Sequence, residues 1–203
     1  MSQKPDTVVS DVAARKPRLL VFDDDVNQLA KYCARLARDY TVEGVLVSFT
    51  SDADAILKDA FARRDWDKAS DLLEADIYRF NAAKHLVTNQ TELRDLLRER
   101  QPDFVLSDLQ MRPELPQVMG TDVMRIASEE LPDSRRALHT AASFARTAPV
   151  SALSNYDKKE RAVLVRAMKE DGFKTFPKPT WHEPFDASPI IDHFEGRQTG
   201  RAF

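Results

Sequence analysis

Several residues able to do chemistry each follow a short apolar run in the sequence. The runs are "LLVF", "FVLS", "RRALH" and "FKTFP". The residues that follow them are Asp23, Asp24, Asp25, Asp108, Thr140 and Lys178. Short apolar runs rich in strand-forming residues are typical of buried strands, so we expect these side chains where strands end.

The acids predict a cation site. Carboxylates held close together repel each other, and the arrangement is costly unless a cation lies among them. With oxygen ligands and no cysteine or histidine next to the acids, the cation should be hard, Mg²⁺ or Mn²⁺. A lysine ammonium and a threonine hydroxyl could then bind phosphoryl oxygens. A carboxylate beside such a cation can attack phosphorus and become an aspartyl phosphate.

The elements that must position these residues alternate between strand and helix. Helical spacing after Asp25 places Leu29, Tyr32, Cys33 and Leu36 on one face. Alternation of this kind predicts a doubly wound α/β fold, a parallel five-stranded sheet with helices on both faces. Ligands bind outside the carboxyl ends of the strands in such sheets. The sequence leaves open whether 42–49 or 84–88 is the second strand.

Composition indicates an ordinary soluble protein. The 203 residues carry a formal net charge of −3, so the basic excess typical of direct nucleic-acid binding is absent. Cys33 is the single cysteine, which excludes an intrachain disulfide and fits a reducing compartment. No apolar run is long enough for a membrane helix, and the N-terminus lacks the apolar core of a signal peptide. We expect a cytoplasmic protein with a disordered tail over 1–16.

The chain resembles the receiver domain of bacterial two-component response regulators. The matching segments are "LLVFDDD", "PDFVLSDLQM", "GTDVMRIASEELP", "ALHTAA" and "DGFKTFPKP", in the family's order. The resemblance implies a flavodoxin-like fold with Asp108 as the phosphoacceptor. It implies that Asp23 and Asp24 position Mg²⁺ together with Asp108 and the backbone carbonyl of Gln110. Thr140 would be the switch hydroxyl and Lys178 the lysine that contacts phosphate.

The chain also departs from the family pattern. We expect a receiver-like domain over 17–203 with a helical insertion at about 50–87 and a second insertion at about 143–156. The usual position of the switch aromatic residue is Thr175, flanked by Phe173 and Phe176. No DNA-binding or enzymatic output domain is expected to follow.

The leading hypothesis is therefore a signalling switch rather than a metabolic enzyme. It would take a phosphoryl group on Asp108 from a histidine kinase or phosphotransfer protein. The phosphorylated form would then change its affinity for an unknown downstream protein. The hypothesis allows a homodimer and requires neither a membrane nor direct contact with nucleic acid.

Two alternatives stay open. A degenerate receiver that is never phosphorylated could act as a scaffold. "VFDDDV" also resembles the first motif of haloacid-dehalogenase-type phosphohydrolases, in which Asp23 would be the nucleophile and Asp25 the general acid. Against the phosphohydrolase, no convincing later acidic motif is found, and Asp108 would have no role. Separately, Asp25 is interpreted as the N-cap of the first helix. His139, beside Thr140, is interpreted as a structural residue.

Overall fold

The computed structural model describes residues 15–47, 53–73, 77–108, 111, 120–140, 174–177 and 186–197. Most of the predicted tail, the predicted insertion at 143–156, Gln110 and Lys178 lie outside these residues. The division of the chain into a tail and an interrupted domain therefore stays a prediction.

The described residues form one parallel sheet with helices before, between and after its strands. The strands are β1 (Arg18–Asp23), β2 (Thr41–Val47), β3 (Ala83–Val87), β4 (Phe104–Asp108), β5 (Arg135–Thr140) and β6 (Lys174–Pro177). The α-helices are α1 (Val26–Leu36), α2 (Ala53–Arg63), α3 (Trp66–Leu73), α4 (Gln90–Arg100), α5 (Gly120–Glu130) and α6 (Ser188–Glu195). A 3₁₀ turn (Ile77–Asn81) precedes β3.

The strand order is β3-β2-β1-β4-β5-β6, and every neighbouring pair is parallel. The predicted doubly wound parallel sheet is confirmed. It has six strands among the described residues rather than the five expected, because both segments left open from the sequence join it. β2 is the neighbour of β1, and β3 pairs outside β2 at the edge. Counted without β3, the order is the 2-1-3-4-5 of flavodoxin-like sheets.

Each face of the sheet has its own apolar core. On one face Leu19, Val21 and Leu106 are covered by α1, α2, α3, the 3₁₀ turn and α6. On the other face Leu20, Phe22 and Val105 are covered by α4 and α5. The central strands β1 and β4 are thus buried on both sides, which explains why they read as continuous apolar runs.

The region predicted as a helical insertion, 50–87, contains α2, α3, the 3₁₀ turn and the edge strand β3. Phe61, Trp66 and Phe80 pack together there, with Trp66 stacked on Phe80 at 6.0 Å between ring centroids. Lys58 of α2 reaches across the end of β3 to Glu92 of α4, with a nitrogen–oxygen distance of 2.7 Å. The Lys58–Glu92 ion pair thus links α2, on one face of the sheet, to α4 on the other.

No helix among the described residues is long and apolar enough to cross a membrane.

Gly44 should be essential for joining β3 to the sheet. A Cβ built at Gly44 would lie 2.4 Å from the carbonyl oxygen of Ala82, which itself accepts a hydrogen bond from the Gly44 amide. We expect Gly44→Ala to lower the free energy of unfolding by roughly 1–3 kcal/mol because the backbone must shift. Urea unfolding measures this. Thr41→Ala, at an exposed position of the same strand, is the control, and equal stability of the two variants would contradict the close approach.

Candidate functional site

Three carboxylates converge where β1 and β4 end. Asp23 is the last residue of β1, Asp24 follows it, and Asp108 is the last residue of β4. β1 and β4 are hydrogen-bonded neighbours, with Phe22 opposite Ser107, so both strands end at the same edge. One oxygen from each carboxylate lies within 4.8 Å of the other two. This edge is also where the strand order reverses direction, the place where ligands bind in open α/β sheets.

The three acids differ in exposure. Asp23 is fully buried, Asp108 is 5% exposed, and Asp24 is half-buried. The floor of the site is therefore a buried carboxylate, and its opening lies on the side of Asp24. A ligand entering from solvent would meet Asp24 and Asp108 first.

The turn after β1 holds Asp23 in place. The Asp25 amide donates a hydrogen bond of 2.9 Å to Oδ1 of Asp23. The Asp25 side chain then caps α1 by accepting a 2.7 Å hydrogen bond from the Asn27 amide, as predicted. The three consecutive acids Asp23, Asp24 and Asp25 therefore have different roles. The first two belong to the site, and Asp25 starts the helix.

The donor set fits a hard divalent cation. Carboxylate oxygens are the ligands that Mg²⁺ and Mn²⁺ prefer, and a cation would offset the mutual repulsion of Asp23, Asp24 and Asp108. Opposite ligands of Mg²⁺ lie about 4.2 Å apart, and Mg²⁺ commonly binds only one or two carboxylates directly and keeps several waters. Oxygens within 4.8 Å of one another are compatible with such binding.

A buried tyrosine–histidine pair borders this cluster. Tyr32 of α1 and His139 of β5 are each 1% exposed. Oη of Tyr32 lies 2.7 Å from Nδ1 of His139, and the rings meet edge to face at 4.7 Å. Burial first, and then the charges of Asp23, Asp108 and Asp25, raise the pKa of the Tyr32 hydroxyl. Its hydroxyl therefore stays protonated.

The structure brings together part of the predicted site. Asp23, Asp24 and Asp108 meet as expected. β5 ends at Thr140, one residue after His139, which pairs with Asp108 across the sheet, so the backbone of Thr140 reaches the same edge. β6 ends at Pro177, the residue before Lys178. The predicted roles of Thr140, Lys178 and Gln110 stay predictions.

The sequence placed Tyr32 on the inner face of α1 and interpreted His139 as structural, but it did not pair them. A histidine in the predicted strand segment "RRALH" was the available signal, because a buried histidine needs a polar partner. Nothing in the spacing of the chain pointed to Tyr32 as that partner, since the two residues are 107 positions apart.

Comparisons with known proteins give no match to any family model and none to a curated protein. Solved structures do match. The receiver domain of the response regulator NarL from Mycobacterium tuberculosis has 16% identity and a TM-score of 0.45, covering 90% of this chain and 99% of that chain. The response regulator domain of Thermotoga maritima CheB has 13% identity and a TM-score of 0.45, covering 90% and 96%.

A third structure, the BeF₃-activated receiver domain of DrrB, has 17% identity and a TM-score of 0.45, covering 89% of this chain and 98% of that chain. All three of these structures are receiver domains. The identities and scores are low, so the function of this chain is argued below from its own residues.

Proposed function

We infer that this chain is a phosphoacceptor switch of the receiver type, with Asp108 as the residue that takes the phosphoryl group. The observation that supports this most is the meeting of Asp23, Asp24 and Asp108 at the carboxyl edge of β1 and β4. Acids at a switch point of a parallel sheet are suited to a cation and a phosphoryl ligand. Asp108 is nearly buried, so a phosphoryl group on it would be partly shielded from bulk water.

In the proposed reaction, an Asp108 oxygen forms a bond to the phosphorus of a phosphohistidine on a kinase or phosphotransfer protein. The phosphorus–nitrogen bond breaks, and the electron pair stays on the donor imidazole. Water later attacks the aspartyl phosphate, which restores the Asp108 carboxylate and releases inorganic phosphate. No oxidation or reduction occurs, and the chain returns to its initial state.

The cation would be held by Asp23, Asp24 and Asp108, with the carbonyl of Gln110 as a proposed further ligand. Bound Mg²⁺ would supply positive charge to neutralise the carboxylates and the phosphoryl oxygens. Asp23 has the positioning role, because its Oδ1 is fixed by the Asp25 amide. Lys178 would contact a phosphoryl oxygen and Thr140 would hydrogen-bond another, which makes each sensitive to the state of Asp108.

The consequence of phosphorylation would be a shift between two conformations with different affinities for a downstream protein. The proposed partners are a histidine kinase or phosphotransfer protein and that downstream protein. A cytoplasmic location and an optional homodimer belong to the same proposal. The helices and edge strand within 53–87 would supply contacts specific to this chain.

The phosphohydrolase alternative is weakened by the position of Asp25. In that hypothesis Asp25 is the general acid beside Asp23. In the structure its side chain is the N-cap of α1, whereas Asp24 and Asp108 are the partners of Asp23 in the carboxylate cluster. Asp25 therefore has a structural role as a helix cap, which does not require it to be a general acid.

Acetyl phosphate with Mg²⁺ should add one phosphoryl group to the wild-type chain. Asp108→Asn should add none, because it lacks the nucleophilic carboxylate while keeping nearly the same shape. Intact-mass spectrometry with and without EDTA measures the gain. Asp133→Asn, which removes an exposed acid far along the chain, should behave as wild type. A gain that persists in Asp108→Asn would refute Asp108 as the acceptor, and no gain in any variant would favour the scaffold hypothesis.

Mg²⁺ should stabilise the fold through the same acids. At free Mg²⁺ about ten times its Kd, the expected gain in the free energy of unfolding is about 1.4 kcal/mol. Asp24→Asn should lose this gain and should be more stable than wild type in EDTA, because one repelling charge is removed. Thermal unfolding with Mg²⁺ or EDTA tests both statements. An undiminished Mg²⁺ response in Asp24→Asn would argue against the site, with Asp133→Asn again as the control.

Asp25→Asn should distinguish the switch from the phosphohydrolase. Asparagine caps helices about as well as aspartate, so α1 should be preserved. We expect Asp25→Asn to take up a phosphoryl group from acetyl phosphate as wild type does. Neither protein should turn over para-nitrophenyl phosphate. Sustained hydrolysis by wild type that Asp25→Asn abolishes would instead establish the phosphohydrolase.

A further inference from the structure

The Tyr32–His139 pair is an unusual feature at the border of the site. Oη of Tyr32 and Nδ1 of His139 are 2.7 Å apart, and each of the two residues is 1% exposed. Buried polar groups are costly unless they are paired, and this pair joins α1 to the end of β5. The pair is not needed to hold a cation or to accept a phosphoryl group. Its position suggests a different role.

The pair lies on two elements that adjoin the residues of the proposed reaction centre. Tyr32 lies on α1, whose N-cap Asp25 is two residues after Asp23. His139 lies opposite Asp108 in the β4–β5 register and directly precedes Thr140. The charges of Asp23 and Asp108 act on the Tyr32 hydroxyl. A change of charge at the acids therefore reaches the pair through space and through two backbone segments.

A row of ring contacts continues from His139 towards α6. His139 and Phe176 are opposite each other in the β5–β6 register, with ring centroids 6.5 Å apart. Phe176 then meets His193 of α6 at 5.8 Å. Nε2 of His193 donates a 3.0 Å hydrogen bond to the carbonyl of Arg136, and the adjacent Phe194 is buried in the core. The rings thus join α1, β5, β6 and α6 on a single face of the sheet.

We propose that Tyr32 and His139 are positioning residues that couple the acidic cluster to helix α6 through Phe176 and His193. The inference rests on the proposed function, and it names α6 as the element through which phosphorylation changes partner binding. When Asp108 carries a phosphoryl group, the hydrogen bond between Tyr32 and His139 adjusts with the end of β5. Phe176 follows His139, and the packing of α6 changes. Helix α6 and the adjoining surface of α1 form the face whose partner affinity responds.

Hydrogen–deuterium exchange of the full chain tests the coupling. Wild type is compared with and without Mg²⁺ and acetyl phosphate, at an Asp108 occupancy read from intact mass. Exchange in the α6 peptide should change by at least about fivefold, the lower end of typical allosteric coupling. Tyr32→Phe, compared at equal occupancy, should lose most of this response, because phenylalanine keeps the ring and removes the hydroxyl.

Tyr40→Phe is the matched control. Tyr40 is 2% exposed and packs edge to face on Phe194 of α6, yet no hydrogen bond to its hydroxyl is found among the described residues. Its ring packs on Phe104 and Phe194, so its α6 response should equal that of wild type. A response lost equally in Tyr32→Phe and Tyr40→Phe would show a general loss of packing and would overturn the inference.

A double variant covers the case in which Tyr32→Phe fails to fold. Tyr32→Phe with His139→Leu removes both polar partners and leaves neither one buried alone. It should also take up phosphate without the α6 response. An α6 response equal to wild type in either variant would overturn the coupling while the proposed function stands. If wild type takes up no phosphoryl group, the proposed function fails and the inference fails with it.

Discussion

Three carboxylates lie close together at one edge of the sheet, and the rest of the fold must hold them there against their mutual repulsion. Asp23, Asp24 and Asp108 place oxygens within 4.8 Å of one another, and two of these side chains are nearly or fully buried. The β1–β4 ladder, covered by an apolar core on each face, fixes the two strand ends. The Asp25 amide then fixes the buried carboxylate of Asp23.

The edge strand β3 adds a surface without disturbing that edge. β1 and β4 keep the neighbours that a flavodoxin-like sheet requires, and β3 attaches outside β2, two strands away from the acids. Gly44 allows the chain before β3 to approach β2 closely, with its amide donating to Ala82. Glu43 of β2 and His85 of β3 also contact each other at 2.7 Å. The additional elements are thus anchored at a distance from the chemistry.

The sheet and the acid cluster could be predicted because both depend on local patterns in the sequence. Apolar runs that end in Asp23 or Asp108 mark buried strands, and parallel pairing then brings their ends together. The N-cap role of Asp25 was predicted for the same reason, since helix capping depends on adjacent residues.

The number of strands and the Tyr32–His139 pair could not be predicted in this way. Segments 42–49 and 84–88 both have strand character, and only their tertiary pairing shows that each joins the sheet. Tyr32 and His139 meet because the tertiary fold brings one side chain of α1 to the end of β5, a contact between residues 107 positions apart. Periodicity shows which face of an element is buried. It does not show which polar atom on another element will face it.

The two faces of the sheet are held by different kinds of contact, and this favours α6 as the element that responds. On one face Arg94 and Arg98 of α4 form short ion pairs with Glu130 of α5. The guanidinium of Arg98, then that of Arg94, holds the pKa of Glu130 below its usual range. On the other face α6 has eight residues and meets β5 and β6 through rings, through the hydrogen bond of His193 and through a hydrogen bond from the Arg135 guanidinium to the Phe194 carbonyl.

Ring pairs contribute about 0.5–1.5 kcal/mol beyond the area that they bury, whereas charge-assisted guanidinium–carboxylate pairs add a more specific geometry. In the proposed switch, a change at the acids would therefore alter the packing of α6 more than that of the α4–α5 pair. The hydrogen bond between Tyr32 and His139 lies on the same face as α6, between it and the acids. In the proposed switch, the β1–β4 ladder would hold the carboxylates in place and α6 would be the element that responds.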